Sequence, residues 1–220
     1  KNVKMFVATC YSTTLLIFSV YIRSLRWKVI VYENQISVKD LFIAQFIGYF
    51  GNNVLPFRLG ELIRSKFIAE KYNFSIPKIF GTVVLERSFD ILGIIFLAII
   101  LVFQNHLLLF NYEYTIYLLP LFIITSIIIL FSIFSKKKNY RGKNKFILIL
   151  INIINGIKSL NKKNLLVVIF HTMLIWIIYI FQVYLVQYSV NMNMSLSDCI
   201  FLLFVCSLVL SIPSLPANIG

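Results

Sequence analysis

The chain has 220 residues, of which 60% are hydrophobic and 13% are charged, and its formal net charge is +13. Its apolar residues form long uncharged runs, and the longest, 164–197, has no counterpart in a water-soluble core of this size. The basic residues lie in short loops between these runs, which argues against a nucleic-acid-binding protein. The composition therefore predicts an all-α fold, a polytopic membrane helical bundle.

A helix needs roughly 20 residues to cross a bilayer, so four or five of the uncharged runs are expected to span the membrane. The runs are 5–22, 41–57, 91–112, 114–135, 146–157, 164–197 and 199–220. The first run is followed by RSLRW and not by a small-residue cleavage site, so we expect a retained span and not a signal peptide. Because the chain opens on Lys1 and closes on Gly220 directly after a Pro-rich stretch, a single domain over 1–220, truncated at both ends, is expected.

The orientation of the bundle is predicted from the loop 136–145, which holds six basic residues and no acid. The positive-inside rule places this loop in the cytoplasm, and threading the chain from there also places the basic loop 58–78 inside. The loop 23–40 is basic too, which creates a conflict if 41–57 crosses the membrane. A segment that enters the membrane and returns to the same side resolves the conflict.

The run 41–57 is the first candidate for such a segment. It is only seventeen residues long and contains Gly48, Gly51, Asn52, Asn53 and Pro56, which makes a continuous lipid-facing helix unfavourable. Backbone that departs from helix at membrane depth is tolerated only where protein or a water-filled cavity satisfies its polar groups. We therefore predict broken or re-entrant helices here, with an ordinary kinked span as the alternative.

The later segments predict three further features. Residues 146–163 have the pattern of an amphipathic helix on the inner leaflet, or of a short connector helix. The run 164–197 is expected to cross outward, and 199–220 to return inward and break at Pro213 and Pro216. One interrupted segment early and one late are typical of substrate sites in transporters, and an inverted repeat relating the two is a hypothesis.

Charged residues within the apolar body form two clusters. The first follows the early break, and on a helix residues 58, 61 and 65 share one face; the second is LERSFD, in which Glu86 and Asp90 face the same way. Threading places both near the inner surface. They predict either a structural ion-pair network, for example Arg58 with Glu86 or Arg87 with Glu61, or a site that handles an anion such as phosphate.

No other constellation in the chain carries recognisable chemistry. Cys10, Cys199 and Cys206 fall in apolar runs, and His106 and His171 are isolated from other metal ligands. We therefore expect no metal, no cofactor, no nucleic-acid partner and no catalytic residue of a soluble enzyme.

Four blocks in order, RSLRW (23–27), GNNVLPFRLGELIRS (51–65), TVVLERSFD (82–90) and IPSLPANIG (212–220), resemble the integral membrane family built on the transmembrane region of lysylphosphatidylglycerol synthase, often called flippase-like. The resemblance implies translocation of a lipid with a charged or bulky head group between leaflets, sometimes beside a separate domain that makes the lipid. The positions that match the family motifs, and so the implied substrate-binding residues, are Asn53, Pro56, Arg58, Gly60, Glu61, Arg64, Glu86, Arg87 and Asp90.

Two departures from the family pattern limit what the resemblance implies. The late block usually reads Pro-Gly-Gly-x-Gly, whereas this chain has Ala217 and Asn218 after Pro216, so a close backbone approach there is less assured. No aminoacyl-transferase domain lies within these residues, and the lipid-modifying activity of the fused enzymes is not carried over.

Three functions remain open from the sequence. A flippase-like translocator in the plasma membrane, with a membrane phospholipid or a lipid-linked substrate as its partner, predicts a groove open to the bilayer beside 41–65 and 82–90. An intramembrane transferase acting on a phospholipid or a polyprenyl phosphate would use Glu61, Glu86 or Asp90 as general base. An accessory scaffold would instead assist a lipid- or glycan-modifying enzyme.

Overall fold

The computed structural model describes residues 2–103, 145–190 and 192–211, together with residues 124, 127 and 128. Within these ranges the chain forms helices and no strands, which confirms the predicted all-α class. The helices are α1 (Asn2–Val31), α2 (Val38–Val54), α3 (Gly60–Lys71), α4 (Ile76–Phe103), α5 (Lys145–Ile157), α6 (Leu165–Val190) and α7 (Leu196–Ser211). Two stretches, Phe6–Val31 and Lys162–Val190, are long and apolar enough to cross a membrane.

Helix α1 continues well past the first uncharged run. The prediction that residues 23–40 form a loop is wrong for its first part, because Arg23 and Arg26 lie inside α1, which ends only at Val31. Both arginines are buried and have carboxylate partners in the bundle, and this pairing allows the helix to continue through two charges.

Helices α2 and α3 form an antiparallel hairpin. Helix α2 begins at the N-cap Ser37, whose hydroxyl accepts a hydrogen bond from the backbone N–H of Asp40. The Asp40 carboxylate in turn accepts hydrogen bonds from Lys71 Nζ at 2.7 Å and from the Tyr72 hydroxyl, both at the end of α3. The start of α2 and the end of α3 therefore meet, and the chain leaves the hairpin on the side where it entered. The predicted segment that turns back is present as this hairpin, but its returning half is α3, in the stretch 58–78 that was predicted as a loop. Its position in a membrane stays a prediction.

The two helices of the hairpin approach each other closely because glycines lie between them. A Cβ added at Gly60 would lie 2.1 Å from the carbonyl oxygen of Gly48, and one at Gly51 would lie 2.8 Å from the Gly60 Cα atom. The turn between the helices includes Phe57 in the left-handed region, with φ 56°, and its ring is exposed, as is that of Phe50. An apolar, exposed tip suits a hairpin whose tip lies in hydrocarbon.

Helix α4 is one long helix that contains the whole LERSFD cluster. Helix α5 crosses it at two glycines, since a Cβ on Gly156 would lie 2.0 Å from the carbonyl oxygen of Lys78 and 2.8 Å from the Gly81 Cα atom. The helix predicted in 146–163 is thus present as α5, and its position on the inner leaflet stays a prediction. Helix α6 packs along α1, and α7 packs against α4 and α6.

One end of the bundle collects the end of α1, the start of α2, the end of α3 and the start of α4; we call it the basic end, after Lys28, Lys71 and Lys78. Lys78 Nζ pairs with Glu33 Oε1 at 2.8 Å and joins α4 to the segment after α1. The hydrogen bonds from Lys71 and Tyr72 lower the pKa of Asp40 to about 2. The basic end is therefore held together by ion pairs between consecutive elements.

Some predictions concern parts of the chain outside the described residues. These are the cytoplasmic position of the loop 136–145, nearly all of the run 114–135 and the break at Pro213 and Pro216.

Candidate functional site

The second charged cluster lies near the middle of helix α4. Glu86 and Asp90 lie ten and fourteen residues after Ile76, where α4 begins, and a helix rises 1.5 Å per residue. Asp90 is consequently about 21 Å from the basic end and is almost central in α4. The helix begins at Ile76, fifteen residues before the uncharged run at 91, and the expectation that these residues lie near the inner surface of the membrane stays a prediction.

An inner layer of the site consists of Arg26, Arg64 and Glu86, whose side chains are at most 1% exposed. Glu86 Oε1 lies 3.3 Å from Arg26 Nη2, and Glu86 Oε2 lies 3.1 Å from Arg64 Nη1. Gln45 of α2 accepts a hydrogen bond from Arg64 Nη1 at 2.7 Å. A buried charge is tolerated only when it is paired and hydrogen-bonded, so these contacts make the inner layer possible.

Neutral side chains complete the inner layer. Arg26 Nη1 donates to the Thr172 hydroxyl of α6 at 3.0 Å. The Arg64 guanidinium lies 4.7 Å from the centre of the Trp27 ring, and Trp27 Nε1 donates to the Thr82 hydroxyl at 2.9 Å. The inner layer therefore ties α1, the α2–α3 hairpin, α4 and α6 to one another.

An outer layer consists of Arg23, Glu61, Arg87 and Asp90. Arg87 bridges the hairpin and α4, since it pairs with Glu61 and, at 3.1 Å, with Asp90 of its own helix. Arg23 of α1 also pairs with Asp90. Two contacts of 2.6 Å, Arg64 with Glu61 and Arg26 with Asp90, connect the outer layer to the inner one. The Arg87 side chain is 32% exposed, far more than the inner arginines.

The two layers together carry a net positive charge. Four arginines face three carboxylates, so one positive charge in this group is not balanced by a carboxylate. In a medium of low dielectric constant such an excess favours the binding of an anion. The side chain of Arg58, which was predicted to belong to the site, lies outside the described residues.

A cavity of about 480 Å³ lies against the outer layer. Its lining combines the charged side chains of the outer layer with apolar side chains. The lining residues are the four members of the outer layer, Tyr49, Asn52, Asn53, Ile91, Ile94, Trp176, Tyr179, Ser207 and Leu210. They come from α1, the hairpin, α4, α6 and α7, so the cavity exists only in the assembled bundle.

The structure places four of the predicted site residues at the cavity and the other described ones behind it or in the α2–α3 hairpin. Asn53, Glu61, Arg87 and Asp90 line the cavity. Arg64 and Glu86 lie behind them in the inner layer, Gly60 forms the contact between α2 and α3, and Pro56 begins the one-turn helix Pro56–Arg58. The predicted ion pair of Arg87 with Glu61 is present.

Several residues of the site were missed by sequence reasoning. Arg23 and Arg26 were treated as loop charges, although no Gly or Pro separates them from the preceding apolar run, a signal that α1 continues. Tyr49 and Tyr179 both accept hydrogen bonds from Arg23 Nη1, at 3.0 and 3.2 Å, although 130 positions of sequence separate them. No local pattern predicts that pair.

Metal ligation has no support in the described ranges, where no group of three or more His, Cys, Asp or Glu residues is arranged to hold an ion. The polar chemistry of the site is therefore that of guanidinium, carboxylate, phenol and amide groups.

These features define a helical membrane protein with a cavity in its bundle that is lined by charged side chains. The chain matches the family of the lysylphosphatidylglycerol synthase TM region over residues 4–220 and belongs to that family. It is 29% identical over 177 residues to the UPF0104 membrane protein MJ1078 of Methanocaldococcus jannaschii, an alignment that covers 78% of this chain and 74% of that protein. No solved structure matches the chain.

Proposed function

We propose that the protein is flippase-like and translocates a phospholipid or a lipid-linked head group between the leaflets of the membrane. The observation that carries the proposal is the presence, in the lining of one cavity, of a partly exposed arginine and apolar side chains. Arg87, Ile91, Ile94 and Leu210 all line this cavity. A lipid phosphate requires the arginine, and the acyl chains next to it require the apolar side chains.

The outer layer suits transient binding of a phosphate. A guanidinium group offers forked N–H donors that match phosphate oxygens, and the two layers together hold one arginine more than carboxylates, an excess that lies in the inner layer behind the cavity. Glu61 and Asp90 already hold Arg87, so an arriving phosphate competes with them for its donors. The same carboxylates take the arginine back when the phosphate leaves, which prevents the site from retaining the anion.

The surroundings of the cavity suit the hydrocarbon part of a lipid. Phe50, Val54 and Phe57 at the hairpin tip are exposed and apolar, and Leu210 at the cavity is exposed as well. In this proposal the acyl chains stay in the bilayer beside these residues while the phosphate moves along the outer layer. The charged side chains lower the cost of carrying a phosphate through the hydrocarbon region.

The proposal includes an orientation. The protein is multi-pass in the plasma membrane, and the basic end faces the cytoplasm together with the loop 136–145, because both are rich in Lys and Arg. Its partner is the membrane lipid that it moves. A lipid- or glycan-modifying enzyme is a further partner in the proposal, as the source of that lipid.

The test is a translocation assay with the full chain in liposomes that contain fluorescent phospholipids, in which an impermeant quencher reports the fraction of lipid in the outer leaflet. We expect quenching beyond one half with the wild type and loss of the excess with Arg87→Gln. Lys66→Gln is the matched control, since Lys66 is 61% exposed and pairs only with Glu70 on the surface of α3 in the described ion pairs. Wild-type traces that equal those of empty liposomes for every head group would contradict the proposal. A chemically altered lipid, seen by mass spectrometry only with the protein present, would instead support a transferase.

A further inference from the structure

We propose that the cavity selects lipids whose head group is uncharged and bears hydroxyl groups, such as glycerol or a sugar, over lipids with a cationic head group. The inference rests on the proposed function, because it concerns the lipid that occupies the same cavity. Four observations carry it: the carboxylates of the lining are already paired, two phenols have O–H groups free to donate, an amide oxygen is free to accept, and the cavity has the size of a head group.

The carboxylates that line the cavity are already occupied. Glu61 pairs with Arg87 and, at 2.6 Å, with Arg64. Asp90 pairs with Arg23, with Arg26 at 2.6 Å and with Arg87 at 3.1 Å. An ammonium head group such as ethanolamine, choline or an aminoacyl group would find no free carboxylate among these lining residues and would meet a cluster with excess positive charge.

Two tyrosines supply hydrogen-bond donors without charge. The hydroxyl oxygens of Tyr49 and Tyr179 accept hydrogen bonds from Arg23 Nη1 at 3.0 and 3.2 Å, and both residues line the cavity. A phenol that accepts one hydrogen bond still has its own O–H to donate, and within the described part of the chain neither hydroxyl donates to a protein group. Arg23 therefore orients two phenols beside the anion-binding arginine.

An acceptor lies on the hairpin side of the cavity. Asn53 Nδ2 donates to the backbone carbonyl of Tyr49 at 3.1 Å, which leaves the amide oxygen of this cavity-lining residue as an acceptor. Hydroxyl groups both donate and accept, so a glycerol or sugar head group can use the phenols and the amide together. A quaternary ammonium group has no N–H to donate and no lone pair to accept with, so it can form neither of these hydrogen bonds.

The size of the cavity agrees with a head group and its phosphate. A volume of about 480 Å³ falls within the range of sites that enclose one small molecule. The lining also includes Ile91, Ile94 and Leu210, which suit the start of the acyl chains. The cavity is therefore assigned to the head group, the phosphate and the start of the acyl chains.

The test compares head groups in the liposome assay with four fluorescent lipids of equal chain length. Phosphatidylglycerol and phosphatidylinositol carry one negative charge and hydroxyl groups, phosphatidylmethanol carries the charge without hydroxyl groups, and phosphatidylcholine adds a cation. We expect phosphatidylglycerol, phosphatidylinositol or both to move about three- to tenfold faster than phosphatidylmethanol, the range expected for one hydrogen bond, and phosphatidylcholine to be slowest. The ranking of the first two distinguishes glycerol from a sugar as the preferred group.

The variants Tyr49→Phe and Tyr179→Phe remove one hydroxyl each and keep the aromatic ring. We expect each to bring the rate ratio of the preferred hydroxyl lipid to phosphatidylmethanol towards one. Tyr188→Phe is the matched control, because Tyr188 is exposed, bonds to Tyr184 and lies outside the cavity lining, and it should preserve the ratio. Equal rates for phosphatidylcholine and the hydroxyl lipids, or Tyr variants that slow all lipids alike, would overturn the inference and leave translocation intact. If no lipid moves, the proposed function itself is overturned, and this inference with it.

Discussion

The inner and outer layers of the charged site are built from the same residue types and differ in solvent access. Arg64 and Glu86 of the inner layer are at most 1% exposed, whereas Arg87 of the outer layer is 32% exposed and faces the cavity. An inner pair cannot change partners without leaving a buried charge uncompensated, while an outer pair can exchange a carboxylate for an arriving anion. Burial, more than residue type, therefore divides this cluster into a part that holds helices together and a part that can bind an anion.

The largest effect is expected from breaking the inner layer. Glu86→Gln leaves Arg26 and Arg64 without their shared carboxylate, and removal of one partner from a buried pair costs about 3–5 kcal/mol of unfolding free energy. Thermal unfolding in detergent should show a large loss of stability. The control Glu70→Gln removes a carboxylate that is 62% exposed and should leave the melting temperature unchanged. A Glu86→Gln protein as stable as the wild type would erase the distinction between the layers.

The next effect is expected from moving α3 away from α2 without removing a charge. Gly60→Ala places a methyl group 2.1 Å from the Gly48 carbonyl oxygen and forces α3, which carries Glu61 and Arg64, away from α2. Overpacking of this kind costs about 1–3 kcal/mol, and lipid translocation should fall with it. Melting temperature and transport rate are measured together, with Leu62→Ala, at an exposed position of α3, as the control. Unchanged transport in Gly60→Ala would show that hairpin geometry does not position the site.

A smaller loss of stability with a large loss of transport is expected from the outer layer. Arg87→Gln removes a partly exposed arginine, so the change in unfolding free energy should stay near 1 kcal/mol. Translocation should fall at least about tenfold, because the phosphate loses its forked donor. Arg87→Lys keeps the charge without the fork and should be intermediate. If Arg87→Gln unfolds as readily as Glu86→Gln, the outer layer is structural too.

The smallest effect is expected at the basic end. The pKa of Asp40 lies at about 2, below its ordinary value of 3.8, so its contribution to stability is present above pH 3.8 and is lost as the pH falls towards 2. Asp40→Asn should therefore lower the melting temperature slightly at pH 6 and reduce the loss on acidification to pH 3. The melting temperature of Glu70→Gln should fall on acidification as much as that of the wild type. An identical pH profile for Asp40→Asn and the wild type would exclude a stabilising role for the contact of Asp40 with Lys71 and Tyr72.

Part of the fold and of the site was predictable from local patterns. The glycines and Pro56 in a short apolar run indicated a segment that cannot continue as one helix, and the spacing of Glu86 and Asp90 indicated a common face. The position of that face near the middle of α4 was not predictable from the uncharged run alone. Helix α4 starts at Ile76, well before that run, and its first two turns include Lys78. Arg23 and Arg26 were missed for the same reason: charges with partners elsewhere in the bundle do not end a helix.

Composition and spacing within single helices establish a helical membrane protein, a break in the short apolar run that ends at residue 57, and the common face of Glu86 and Asp90. The membership of Glu61, Arg87 and Asp90 in one site was implied by the family resemblance. Only the tertiary structure decided which arginine meets which carboxylate, that Tyr49 and Tyr179 flank Arg23, and which charges face the cavity. The reason is that these contacts join side chains from separate helices, and their register follows from how the helices pack and not from the periodicity of any one of them.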